Sequence, residues 1–438
     1  MDIEKLKLVI KEFQERSLPQ IVERRIVNVN LKAKKIISIF GPRRSGKTFY
    51  FYEIIGELIS KGIEKTRILY MNFEDERIAP FDSGDFHTLL ETYYEMHPEN
   101  KGKEIFLFLD EVQNVKGWEN AVRRINDNEN MKIFITGSSS KLLSRDIATA
   151  LRGRTISYEM LPFSFEEILL SKGIKPAKEI SYSKERFRAK NLLGAYIKFG
   201  GFPEIVLEDD ETTKIRILQE YLNVIFFRDL VERFSVKNTV LLKEMIRFLI
   251  SNISNYFSLT GFYNVTKEKH GITKQTIIDY SSYLEDIDFL FFVSKYSSTL
   301  KEQMRNPRKI YIVDVGFRAA SGFYVSEDYG RVAENIVFLK LKQLQLKNPL
   351  IEIFYWKNSD GKEVDFMIKQ GKSVKKLVQA SWNIKESEER EVSGLLAAME
   401  EFNLKSGTIV TKDFEGKKSF GKKSIYFISL WKFLLSEV

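Results

Sequence analysis

The stretch "KIISIFGPRRSGKTFYFYEII", Lys35 to Ile55, decides the fold. It opens on Lys35 to Phe40, an apolar run with the length of a buried strand, and Phe49 to Ser60 continue with helical spacing. Between them stand Gly41, Pro42, Arg43, Arg44, Ser45, Gly46, Lys47 and Thr48, the pattern G-x-x-x-x-G-K-[ST]. Such a strand–loop–helix turns its backbone N–H groups inward on a polyphosphate, and the glycines let the chain come close. Lys47 then sets a cation between the terminal phosphates, while the Thr48 hydroxyl is a ligand for Mg2+. ATP and Mg2+ are the expected ligands of these eight residues.

A loop of this kind needs a second strand that ends in an acid. "EIFLFLDEVQNVKGWE", Glu104 to Glu119, supplies it: Ile105 to Leu109 are continuously apolar, as a buried parallel strand should be, and Asp110 follows at the C-terminal end. Asp110 is the expected metal ligand, and Glu111 is placed to take a proton from an attacking water. Two further strands fit the same sheet, within "RILYMNFEDER" (Arg67 to Arg77) and "KIFITGSSSKLLS" (Lys132 to Ser144). The second ends in Thr136, Ser138 and Ser139, which either reach the γ-phosphate side or cap the next helix. Arg152 and Arg154 lie on a turn before another strand, as a solvated pair or as an arginine finger for a neighbouring subunit's ATP.

The totals place these motifs in a soluble setting. With 438 residues, several domains are expected. The chain has no cysteine, which excludes disulfides and thiolate metal sites and fits a reducing, cytoplasmic compartment. The N-terminal "MDIEKLKLVIKEFQERS" alternates charge with apolar residues, as a helix and not a signal peptide does, and the apolar run "FLFFV" (Phe289 to Val293) is too short to cross a bilayer. A net charge of +9 from 69 basic and 60 acidic residues admits a nucleic-acid partner but does not demand one.

Taken with "YMNFEDER", "LDEVQNVKGWE", "ITGSSSKLLSRDIATALRGR", "LPFSFEE", "GGFPEIV", "FFRDLVERF", "RKIYIVDVGF" and "GKEVDFMI", the segment "FGPRRSGKT" gives the chain a resemblance over nearly its whole length. It resembles a group of archaeal and bacterial AAA-type ATPases that join an ATPase core to a C-terminal region of unknown function. That region is similar to a winged helix followed by a PD-(D/E)XK nuclease-like fold. The resemblance implies Lys47 and Thr48 on phosphate and Mg2+, Asp110 on the metal and Glu111 as catalytic base. It also implies Ser138 or Ser139 as γ-phosphate sensor, Arg152 or Arg154 as the arginine acting in trans, and Arg228 and Arg233 on a helical lid over the nucleotide. Ordinary helical ion pairs such as Arg228 with Glu232 remain the alternative for the lid arginine.

From about Lys237 to Tyr296 the residues follow a helix-turn-helix cadence. Leu259, Phe262 and Val265 form an apolar stripe, Gly271 makes the turn, and Ile277, Tyr280 and Leu284 face inward on the next helix. Lys274 and Gln275 are left facing out, and Arg305 and Arg308 flank a winged hairpin; these four are the DNA candidates. Protein docking is the other use of such a module.

The C-terminal part is tested against the chemistry of a PD-(D/E)XK site, which needs two acids, then (E/Q)-x-K, to hold Mg2+ and activate water. Glu334 and Asp365 are the acids, and Gln379-Ala380-Ser381 stands where (E/Q)-x-K is required. Gln379 has a carbonyl oxygen for a metal, but Ser381 has no charge to replace the lysine, so the site is expected to be degenerate.

The expected architecture is an α/β chain. It has a P-loop ATPase core over 1–160, a helical lid over 161–236, a winged helix over 237–329 and a nuclease-like α/β domain over 330–438. The expected function is a Mg2+-dependent ATPase that binds DNA and couples hydrolysis to assembly or remodelling on it, as a homo-oligomer and off the membrane. The alternatives are a slow ATP-gated switch with protein partners and, behind it, an ATP-dependent nuclease.

Overall fold

The computed structural model describes residues 2–25, 27, 29–137, 151, 153–176, 180, 184–322 and 328–436. The chain divides into two compact units, Met1–Leu161 and Pro162–Val438.

The first unit is a five-stranded parallel sheet flanked by helices. Its strands are β1 (Ile36–Phe40), β2 (Ile68–Asn72), β3 (Ile105–Asp110), β4 (Met131–Gly137) and β5 (Thr155–Glu159), in the order β2-β3-β4-β1-β5. Apolar side chains on both faces bury β1 and β3 along their whole length, whereas β5, at the edge, stays half-exposed. Helix α1 (Ile3–Glu15) starts on Asp2, whose carboxylate accepts from Glu4 N and Lys5 N, and buries Leu6, Val9, Ile10 and Phe13 at helical spacing. Leu6, Val9 and Ile10 join one core with Leu69 and Met71 of β2 and with Phe86, Leu89, Leu90 and Tyr93 of α3 (Asp85–Met96). Helix α2 (Lys47–Ser60) leaves the phosphate loop, and α4 (Trp118–Asn128) leads from the β3 end to β4. This is the P-loop arrangement that the sequence implies, with the ends of β1, β3 and β4 along one edge of the sheet.

The second unit begins with a helix, Phe165–Ser171, opened by a full capping box between Ser164 and Glu167. Further helices follow through Ser251, with a π-helical stretch at Ile225–Glu232 that carries exposed Arg228. The helices Leu259–His270 and Lys274–Asp286 are joined at Gly271, whose φ of 58° suits glycine. Beside them β6 (Tyr256–Phe257), β7 (Leu290–Val293) and β8 (Arg308–Ile312) form an antiparallel sheet in the order β6-β8-β7. Phe262, Ile277, Tyr280 and Leu284 are buried as expected. Val265 is not: it is 82% exposed, and Thr266 takes the inward position, its hydroxyl donating to Phe262 O at 2.8 Å.

A mixed six-stranded sheet closes the unit: β9 (Ile351–Lys357), β10 (Glu363–Gln370), β11 (Ser373–Ser381), β12 (Ser406–Thr411), β13 (Gly416–Phe420) and β14 (Lys423–Ser429). Their order is β13-β14-β12-β11-β10-β9. The helix Ile384–Glu401 covers one face, burying Leu395, Ala398 and Met399 against Val364, Met367 and Leu377. Among the described residues no helix is long and apolar enough to cross a membrane.

Candidate functional site

The phosphate loop runs from the end of β1 to the start of α2. Gly41 has a φ of 144°, and a Cβ there would stand 2.2 Å from Met160 O, so glycine is required where the loop passes the exit of β5. Gly46 takes a φ of 96° and Arg44 a φ of 64°. The Lys47 ammonium, 4% exposed, donates to Gly41 O and Pro42 O at 3.1 Å each and lies 4.0 Å from Glu111 Oε1. Arg43 faces Glu74, with Nη1 to Oε1 at 3.5 Å. The Ser45 hydroxyl is fully buried in the loop without a hydrogen-bond partner.

Asp110 is fully buried at the end of β3. Burial pushes its carboxyl up, and hydroxyl donors from Thr136, Thr48 and Tyr70 work against that shift. Tyr70 OH donates to Asp110 Oδ2 at 2.9 Å, and the Thr136 hydroxyl donates to Oδ1. Burial and the charge of Asp110 hold the Tyr70 phenol far above its ordinary range, so it remains a donor. Glu111 follows in the left-handed region, φ 53°, a strained position for a side chain of this size. Its N–H donates to Thr136 Oγ1 at 2.9 Å, and Gln113 Nε2 donates to its Oε2 at 2.5 Å. This turn aims the carboxylate back toward Lys47.

These groups fit a magnesium nucleotide. A buried ammonium, an unpartnered hydroxyl in the loop and a hard-oxygen pair, Thr48 with Asp110, are the donor set that such a ligand takes. Thr136, expected at the γ-phosphate side or as a helix cap, donates to Asp110, and sequence reading missed two supporting residues, Tyr70 and Arg24. Thr136 and Tyr70 hold Asp110 from either side. Arg24, 6% exposed, donates through Nη1 to Ser45 O at 2.7 Å and through Nη2 to Leu161 O at 2.6 Å, tying the loop to the chain beyond β5. Arg24 stands in the charged triplet Glu23-Arg24-Arg25, which gives it no signal in the sequence.

Residues 33–169 match the family model described as an AAA domain, and residues 190–324 and 329–433 match two domains of unknown function, DUF8612 and DUF4143. An uncharacterized protein of Methanocaldococcus jannaschii is 36% identical over 423 residues, covering 94% of this chain and 91% of that protein. The chain is a member of the AAA-type P-loop ATPase family. A Haemophilus influenzae protein, also uncharacterized, is 32% identical over 397 residues, covering 90% of this chain and 93% of its own length. Among solved structures, the Walker-type ATPase PABY2304 of Pyrococcus abyssi aligns with a TM-score of 0.45 at 13% identity, covering 74% of this chain and 96% of that one. The Aeropyrum pernix Orc1 protein in complex with DNA aligns with a TM-score of 0.29 at 13% identity, covering 73% and 90%.

Of the remaining candidates for the nucleotide site of this AAA-type ATPase, Arg154 is held in a two-pronged pair with Asp127, Nε to Oδ1 at 2.8 Å and Nη2 to Oδ2 at 3.0 Å. It precedes β5, at the opposite end of the parallel strands from the phosphate loop. Ser138 and Arg152 lie outside the described residues. Arg228 belongs to the second unit.

In that second unit Glu334, Asp365 and Gln379 come together beside Lys309, a residue that the sequence analysis did not single out. Lys309 of β8 points its ammonium to Asp365 Oδ1 at 2.7 Å, Glu363 Oε1 at 2.9 Å and Glu334 Oε1 at 3.1 Å. Burial disfavours its charge, but Asp365 and Glu334 outweigh this and hold it well above the ordinary lysine range. Tyr311, two residues on and so on the same strand face, donates to Glu334 Oε1 at 2.7 Å. Burial and then the Asp365 charge push the Glu334 carboxyl up to about 8. Gln379 is engaged at both ends of its amide: the oxygen accepts from Asp365 N at 2.9 Å, and Nε2 donates to Glu391 Oε2 at 2.7 Å. Ser381 Oγ lies 2.8 Å from Ser387 Oγ.

The DNA candidates divide. Lys274 and Arg305 are exposed. Gln275 is exposed too but donates to Asp279 Oδ1 at 2.7 Å. Arg308 is half-buried with its guanidinium 3.6 Å over the Phe292 ring, packed as part of the sheet.

Proposed function

We propose that this AAA-type ATPase hydrolyses ATP with Mg2+ and couples the cycle to assembly or remodelling on DNA, as a homo-oligomer. The observation that carries the first half is the turn at Asp110 and Glu111, which brings a second carboxylate to within 4.0 Å of the Lys47 ammonium. Lys47 and the loop N–H groups would bind the phosphates, Thr48 and Asp110 would hold Mg2+, and Glu111 would accept the proton of the attacking water. The metal, when bound, neutralises charge on the phosphates. Arg154 would serve a neighbouring subunit after release from Asp127, and Ser138, Arg152 and Arg228 keep the sensor, finger and lid roles that the family resemblance implies.

The DNA half of the proposal is supported by the helix pair at Leu259–Asp286 beside its three-stranded sheet, with Lys274 and Arg305 exposed and a chain charge of +9. We read residues 1–160, 161–236, 237–329 and 330–438 as core, lid, winged helix and nuclease-like domain. The last is taken as catalytically silent, because the serine at 381 is neutral and the nearby lysine is bound by three carboxylates. The test is ATP turnover with and without single- and double-stranded DNA at two salt concentrations. Salt-sensitive stimulation by DNA supports the reading, and turnover indifferent to DNA overturns its second half. A slow ATP-gated switch with protein partners is the second reading, favoured by the engagement of Gln275 and Arg308 inside their own domain.

A further inference from the structure

We propose that Tyr70, backed by Tyr52 and Arg16, is a positioning residue for the Asp110 carboxylate, so that the seat of the N-terminal helix governs metal binding. This rests on the reading of Asp110 as the Mg2+ ligand.

The chain of contacts is continuous. Arg16, the residue after α1, donates from Nη2 to Tyr52 OH at 2.7 Å. Tyr52 OH donates to Tyr70 OH at 3.4 Å, and Tyr70 OH donates to Asp110 Oδ2 at 2.9 Å. The direction of every bond is fixed by chemistry. A guanidinium has only donors, so the Tyr52 oxygen must accept and its hydrogen turns to Tyr70. The Tyr70 oxygen accepts from Tyr52, so the Tyr70 hydrogen turns to Asp110 Oδ2. A row of hydroxyls running from a guanidinium to a carboxyl group polarises along its length, which strengthens its last bond.

The rings have little freedom to leave this arrangement. Tyr70 and Tyr52 are 5% and 9% exposed. Phe13 of α1 stacks on Tyr70 at 4.9 Å, and the Arg16 guanidinium lies 5.3 Å from the Tyr52 ring centre and 5.8 Å from that of Tyr70. Thr136, on the neighbouring strand, holds the other carboxylate oxygen. Asp110 is thus gripped from both sides, and the outer grip runs back to α1. Moving α1 would release Tyr70 and leave the carboxylate free to turn.

The experiment compares Tyr70→Phe, Tyr52→Phe and Arg16→Met with the parent chain, using a fluorescent ADP titrated in EDTA and then with increasing Mg2+. Nucleotide bound in EDTA should change less than about twofold, since the loop is untouched. The Mg2+ needed for half of the metal-dependent gain should rise about 10-fold in Tyr70→Phe, the scale of one hydrogen bond to a charged group. Arg16→Met and Tyr52→Phe should shift it in the same direction, and adding Arg16→Met to Tyr70→Phe should add nothing. Equal losses in EDTA and in Mg2+, or an unmoved Mg2+ requirement, would overturn the proposal. A parent chain whose nucleotide binding is indifferent to Mg2+ would instead overturn the reading of Asp110 on which it rests.

Discussion

The Lys309 ammonium lies 2.7 Å from Asp365 Oδ1, across 56 residues of chain, at the centre of three carboxylates. Removing it would leave Asp365 and Glu334 buried without a cation, while Glu363 keeps Lys357 at 3.2 Å. Lys309→Met should therefore lower the stability of the second unit by about 3–5 kcal/mol, as breaking a buried ion pair does. Adding Asp365→Asn should restore part of the loss, because one uncompensated charge goes with it. Thermal unfolding of the three chains checks this. A single variant as stable as the parent would mean that the lysine merely fills space.

How much of this was legible beforehand depended on distance along the chain. The loop from Gly41 to Thr48 and the apolar run into Asp110 are local patterns, and both fold as the pattern implies. Lys309, Tyr70 and Arg24 are not local: each meets its partner across a sheet or a loop closure. Lys309 did leave a trace, a lysine sharing alternation with Tyr311 in the buried strand β8, which calls for acceptors facing it. Val265 was misplaced for another reason. The helix turns about 100° per residue, so the stripe from Leu259 and Phe262 drifts to position 266. Thr266 can fill that position because its hydroxyl is satisfied by the turn before it.

Glu111→Gln keeps the size and the left-handed turn but removes the proton acceptor. ATP turnover should fall by about 100-fold or more, within the range of general-base losses. Nucleotide affinity should stay near that of the parent, since the Lys47 contacts to Gly41 and Pro42 are untouched. Parent-like turnover would remove Glu111 from the chemistry.

Arg154→Ala breaks a half-exposed pair with Asp127, which should cost less than about 1 kcal/mol of stability. A large loss of turnover would then reflect the arginine's action and not its support of the fold. Mixing Arg154→Ala with Lys47→Ala subunits separates the two places where it can act. If Arg154 works on a neighbour's nucleotide, activity should depend non-additively on the mixing ratio. Simple dilution would assign each subunit its own complete site.

Asp314 supplies a pH dependence. Its Oδ2 accepts from Gly201 N at 2.6 Å and its Oδ1 from Gly316 N at 2.8 Å, while burial pushes the carboxyl from 3.8 up to about 7. A carboxyl raised by folding binds its proton more tightly in the native state. Its contribution to stability is therefore complete below pH 3.8 and is lost as pH rises through about 7. Asp314→Asn carries no titrating proton, so the unfolding temperature of the second unit should vary less between pH 5 and pH 8, an interval chosen to straddle about 7. Gly200→Ala tests the same contact by size, because a Cβ there would fall 1.6 Å from Asp314 Oδ1 and should prevent the loop from closing. Equal pH slopes in the parent and Asp314→Asn would show that the proton is not taken up at this carboxyl.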